Sequence, residues 1–197
     1  MIATSIPTMS PKSARHTILS AITPFDAESE ALRIVIETPK GSRNKYSYNP
    51  ECDCMQLSTV LPEGMVFPYD FGFIPSTLGD DGDPLDVLIL MEAPVIPGCV
   101  VRTRLIGAIE AQQKEKGEGW TKNDRFVVVA THAQTYQKAK TFADLRPHLV
   151  DEIIEFFVSY NKLRDRKFKP GGVVGPHKAR DLVEVGMKRF RRKHSNN

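Results

Sequence analysis

Asp80-Asp81-Gly82-Asp83-Pro84-Leu85-Asp86-Val87-Leu88-Ile89-Leu90-Met91 is an acidic turn that runs directly into an apolar strand. Gly82 and Pro84 bend the chain, and residues 85–91 are rich in the Val, Ile and Leu of a buried strand. Asp81, Asp83 and Asp86 therefore sit at the mouth of a rigid element. Clustered carboxylates repel one another, and a hard divalent cation with oxygen ligands is the simplest group to offset that repulsion. A fully solvated Asp-Gly turn is the alternative reading of this segment.

Outward from the turn, residues 33–37 and 126–129 read as further strands, and Pro94, Pro97 and Gly98 punctuate a loop before residues 99–110 resume. Arg102 and Arg104 lie on the face opposite Val101 and Thr103. Residues 114–119 read as a polar hairpin tip. After Pro147 the period changes: Leu149, Ile153, Phe156, Phe157, Tyr160 and Leu163 recur at the three-and-four spacing of one helix stripe. A second helix is expected over residues 178–190, where Val183, Met187 and Phe190 share a face, with Gly171, Gly172 and Pro176 separating the two. Strands first and helices last favour an α+β chain, mostly β: a largely antiparallel barrel with two C-terminal helices packed outside.

The 197 residues, 41% hydrophobic, suit one domain over residues 31–190, preceded by a flexible extension over 1–30 and followed by a basic tail over 191–197. No apolar run reaches the length of a membrane helix, so no membrane partner is expected. The three cysteines, Cys52, Cys54 and Cys99, have no zinc spacing and read as reduced thiols in a cytoplasmic setting. A net charge of +3, concentrated in the last residues, favours a solvated basic face over a nucleic-acid patch. The histidines show no metal spacing, and there is no glycine-rich GxxxxGK[ST] loop, which argues against nucleotide-loop chemistry.

Two acidic motifs fail. A calcium loop counted from Asp81 places Leu85 and Asp86 where it needs an acid or amide and then glycine. An aspartyl-phosphatase motif follows its strand, whereas this one precedes it. The run Asp81-Gly82-Asp83-Pro84-Leu85-Asp86-Val87-Leu88 instead resembles the signature of the soluble inorganic pyrophosphatases. The likeness extends through Ile36-Glu37-Thr38-Pro39, Asn44-Lys45-Tyr46, residues 67–74 and Phe156-Phe157-Val158-Ser159-Tyr160. It implies an OB-like barrel, Mg²⁺ as cofactor, pyrophosphate as substrate, and a homo-oligomer.

By this resemblance Asp81 and Asp86 are metal ligands, Asp83 orients or deprotonates the attacking water, and Glu37 supports a further metal. Glu115 or Glu118 supplies a later carboxylate, and Asn123 falls on another metal-binding position. Lys45, Arg125 and Tyr160 hold phosphate oxygens. The chemistry asks for such groups: metals neutralise a polyanion and acidify water, a carboxylate takes the proton, and cations stabilise the leaving phosphate. The chain departs from the family pattern at Ser47, Thr59, Phe67, Phe71, Asn123 and Asn161, each of which removes a carboxylate, a cation or a hydroxyl. Arg102, Arg104 and Arg43 are candidates to replace the missing cations. Asp124, adjacent to Asn123, points to the opposite strand face unless a bulge re-aims it.

These departures motivate two alternatives: a catalytically silent relative, or a hydrolase of another phosphate compound. A third, single-stranded nucleic-acid binding on the barrel, draws on the alternate aromatics Phe67, Tyr69, Phe71 and Phe73.

Overall fold

The structure, a computed structural model, describes residues 22–195. Its centre is a closed ring of strands: β1 (Leu32–Thr38), β4 (Asp70–Ile74), β5 (Leu85–Leu90), β8 (Arg125–Ala130) and β6 (Val100–Lys114), with β6 pairing back onto β1. The pairings are antiparallel except β5 with β8, which is parallel. Closure leaves these strands no free edge. Consequently β4 and β8 are buried along their whole length, as is β5 from Val87 onward.

The alternate aromatics belong to this core. Phe67, Tyr69, Phe71 and Phe73 are all buried, with rings packed inside the protein, so they offer no open platform on which bases could stack.

Four strands and two helices flank the ring. Strands β2 (Asn44–Asn49) and β3 (Cys54–Val60) form a separate antiparallel hairpin; β7 (Thr121–Lys122) and β9 (Lys167–Val174) both pair with the far end of β6. Helix α1 (Leu149–Lys162) buries Leu149, Ile153, Phe157 and Tyr160 of the expected stripe; Phe156 is half-buried, and Leu163 falls past the helix end and is exposed. Helix α2 (Pro176–Ser195) buries Ala179, Val183 and Gly186.

Two expectations need correction. Residues 167–174 form a strand between the helices, because Pro170 and the glycine pair sit on a sheet edge where pattern and propensity are weak signals. The second helix also runs on through residues 191–195, placed in a tail from sequence. As for the N-terminal extension, residues 1–21 lie outside the described residues. Residues 22–30 contact the domain: Phe25 bridges Leu32, Asp26 pairs with Arg33 at 2.5 Å, and Ser76 donates to the Ile22 carbonyl.

Ring closure brings β4 very close to β1. A Cβ on Gly72 would lie 2.0 Å from the Val35 carbonyl oxygen, and backbone cannot give way as a side chain can. Gly72→Ala is expected to destabilise the protein by at least about 1–3 kcal/mol, read as a lower urea midpoint. Gly119→Ala, with nothing within 4 Å, serves as the control and should leave the midpoint nearly unchanged.

Candidate active site

The acidic turn is held from below by backbone and hydroxyl groups. Thr77 Oγ1 donates to the Ile74 carbonyl at 2.6 Å and accepts the Leu85 amide at 3.1 Å, joining the end of β4 to the start of β5. The Gly79 amide donates to the Asp83 carbonyl at 2.7 Å, and Gly82 takes the positive φ of 88° that the bend requires. Helix α2 presses on the same place through Gly186, whose carbonyl accepts the Leu78 amide, while Arg189 pairs with Asp80 at 2.6 Å.

Asp81, Asp83 and Asp86 face a cleft of about 340 Å³. Lys45 from β2, Asn123 and Arg125 at the start of β8, and Tyr160 from α1 line the same cleft, as do both Glu115 and Glu118. Glu37 stands apart from these. It is buried at 9% exposure in an adjoining cavity that shares Lys45, Asp83 and Asp86 with the cleft. Every residue given a catalytic, metal or phosphate role by the resemblance thus lies in the cleft or its annex, although their engagements differ sharply.

Arg125 is the most constrained. Its guanidinium packs against the adjoining rings of Phe157 and Phe168, 4.8 and 5.6 Å from their centroids, and pairs with Asp86 at 2.7 Å. Asn123 Oδ1 accepts a short hydrogen bond from Arg125 Nη1. Asparagine here therefore fixes the arginine. Asp124 points away, as strand alternation predicts: Oδ1 accepts the Ala111 amide at 3.1 Å and Oδ2 meets Lys122 at 3.1 Å. The Tyr160 hydroxyl is also engaged, receiving a 2.5 Å hydrogen bond from Arg164.

By contrast, the Asp83 carboxylate has no hydrogen bond or ion pair with a described residue. Partial desolvation in the cleft, then the neighbouring charge of Asp86, raises its pKa against the opposing pull of Lys45, Lys193 and Arg166. Asp81 is raised to about 6, first by desolvation. Glu37 is raised to about 7 by burial, although Lys45 and the Tyr48 amide, at 2.7 Å, oppose the shift.

The three arginines offered from sequence as replacement cations are occupied elsewhere. Arg104 donates to the carbonyls of Ala139, Tyr136 and Gln137, Arg43 to Leu61 O and Glu63, and Arg102 borders a different cavity. Arg166, missed from sequence, lines the cleft instead and pairs with Glu115 at 2.7 Å. The end of α1 aims it: the amides of Arg164 and Arg166 both donate to the Asn161 carbonyl, and Asp165 turns the chain at φ 54°. No spacing rule links a residue after a helix to an acidic turn so far back in sequence. Phe67 and Phe71, where the pattern expects hydroxyls, pack their rings against Tyr160, Phe156 and Phe157 and give the cleft an apolar wall. Thr59 faces a separate small cavity beside Arg164.

The donor set suits hard divalent cations. It consists of carboxylate oxygens whose pKa values are raised first by desolvation and then by one another's charge. Among the described residues no three His, Cys, Asp or Glu side chains already converge on one ion. That pattern fits an ion taking one or two carboxylates and completing its shell with water and substrate oxygens.

A small closed barrel with a carboxylate cleft, backed by lysine and arginine, defines a cation-assisted hydrolase of phosphate compounds. Comparison with known proteins narrows the class. The inorganic pyrophosphatase family pattern matches residues 34–191. The inorganic pyrophosphatase of Synechocystis is 36% identical over 168 residues, 85% of this chain and 96% of that protein. The Thermus thermophilus enzyme is 37% identical over 150 residues, 76% of this chain and 83% of its own length. A crystal structure of inorganic pyrophosphatase from T. thermophilus superposes with a TM-score of 0.78, 31% identity, covering 88% of this chain and 98% of the other. The chain belongs to the inorganic pyrophosphatase family: it is a diphosphatase that hydrolyses pyrophosphate to orthophosphate, and the members of this family need metal ions.

Proposed function

We propose that the reaction runs with Mg²⁺, with Asp83 as the general base, Asp81 and Asp86 as metal ligands, and Lys45 and Arg166 as the cations that meet phosphate oxygens. The observation that carries this reading is the single cleft joining three clustered carboxylates to Lys45 and Arg166. When bound, the cations neutralise phosphate oxygens and make a water more acidic. Asp83, whose carboxylate receives no hydrogen bond from a described residue, is placed to accept the proton of an attacking water. Lys45 stands 5.7 Å from the Phe71 ring centroid and forms no ion pair with a described residue, which leaves its charge for a phosphate. Arg125 acts at one remove: it holds Asp86 in place and lends its buried charge to the cleft floor. Glu115, Glu37 and Asn123 are assigned supporting places, Glu115 and Glu37 on the metal side and Asn123 through Arg125.

A cytoplasmic location suits the free thiols of Cys52, Cys54 and Cys99. Assembly with further copies of the chain is supported by family likeness.

The test is orthophosphate release from pyrophosphate as Mg²⁺ is titrated, with EDTA and with Ca²⁺ in place of Mg²⁺. Release should rise with Mg²⁺ and stop in EDTA while circular dichroism shows an unchanged fold. Turnover that persists in EDTA would remove the proposed metal roles of Asp81 and Asp86.

A further inference from the structure

Cys52 lies in the turn joining β2 to β3 and Cys54 opens β3, away from the catalytic cleft, and the reaction makes no use of them. Both are exposed, and their Sγ atoms lie 3.0 Å apart. Asp53 between them takes a left-handed φ of 50°, which folds the chain so that both thiols emerge on the same side; its carboxylate accepts a 2.5 Å hydrogen bond from the Tyr48 hydroxyl. We infer that Cys52 and Cys54 form a redox-active dithiol that closes to an intramolecular disulfide when a peroxide oxidises it.

Geometry supplies most of the case. A disulfide needs sulfurs about 2.05 Å apart, so the pair closes by roughly 1 Å. Both thiols are open to a small oxidant, whereas Cys99 is half-buried with no thiol beside it. The hydrogen bond with Cys52, foremost among the causes, raises the Cys54 thiol pKa. Either sulfur can be the donor in this contact, and the thiol of the pair that gives up its proton is the one that attacks.

The step balances. One thiol of the pair, as its thiolate, attacks one oxygen of hydrogen peroxide; the O–O bond breaks, hydroxide leaves, and a sulfenic acid forms. The other sulfur, losing its proton, then attacks that sulfur, and the S–O bond breaks with loss of water. Two thiols are oxidised by two electrons and peroxide is reduced to water. So short a loop gains little chain entropy from cross-linking, so the bond should open again with a thiol reductant.

The test treats the folded full-length protein with hydrogen peroxide, blocks remaining thiols with N-ethylmaleimide, and measures intact and peptide masses. The expected product has lost one pair of hydrogens in the peptide holding residues 52 and 54, carries a single maleimide on Cys99, and reverts in dithiothreitol. Cys99→Ser should behave identically apart from that adduct. Cys52→Ser and Cys54→Ser should each lose the hydrogen-pair product and instead gain oxygen at the remaining sulfur or stay reduced. Three maleimides on oxidised wild type, oxygen added to both sulfurs, or disulfide-linked dimers as the main product would each overturn the assignment.

Discussion

Asp83→Asn is expected to lower kcat for pyrophosphate hydrolysis by about 10²–10⁴-fold, the usual contribution of a positioned general base, with little change in thermal stability. The three carboxylates of the turn are not equivalent. Asp86 is committed to Arg125 at 2.7 Å, and Asp81 accepts the Asp83 amide at 3.2 Å, whereas the Asp83 carboxylate receives nothing from a described residue. It also feels Lys45, Lys193 and Arg166 together, so its charge is balanced without a bond that a proton would have to displace. Asparagine keeps the size and removes only the basic oxygen. Initial rates over a grid of pyrophosphate and Mg²⁺ concentrations, with circular dichroism melts alongside, provide the check. A variant as fast as wild type excludes Asp83 as the base. A variant restored by high Mg²⁺ makes Asp83 a metal ligand, with the base to be sought elsewhere.

Much of this site was legible because its chemistry is local in sequence. Asp81, Asp83 and Asp86 lie on one turn, and the apolar residues 87–90 that follow are buried as a ring strand. The stripe from Leu149 to Tyr160 gave α1 for the same reason: periodicity reports a buried face. Strand β3 was not legible, since most of its residues are exposed and no alternation marks it, and β9 carries proline and two glycines on a sheet edge. Ring closure also had no local sign; it is a pairing of β1 with β6 across the chain. The replacement cation was misassigned on similar grounds. Arg102 and Arg104 sit on a strand and seemed well placed, yet Arg104 is consumed by loop carbonyls, while Arg166 gains its position from the way α1 ends.

Arg166→Ala is expected to lower kcat/KM for pyrophosphate by about 10²-fold, with most of the loss in kcat if the guanidinium stabilises the leaving phosphate. The cleft holds few cations able to do this. Arg125 is packed against two rings and bonded to Asp86, and Arg164, outside the cleft lining, is turned to Tyr160, which leaves Lys45 and Arg166. Arg166 is only 30% exposed and its partner Glu115 42%, so the pair is partly screened by solvent and can exchange the carboxylate for a phosphate. Arg166→Lys should recover part of the rate, because it restores the charge without the planar two-donor fork. Glu115→Gln separates the two tasks open to that carboxylate. If Glu115 ligates a metal, the variant needs more Mg²⁺ for half-maximal rate; if it only restrains Arg166, the Mg²⁺ dependence stays fixed and KM for pyrophosphate moves. An Arg166→Ala enzyme with unaltered kcat and KM removes Arg166 from the reaction and leaves Lys45 as the one cation of the cleft, among the described residues, not already committed to a carboxylate or a hydroxyl.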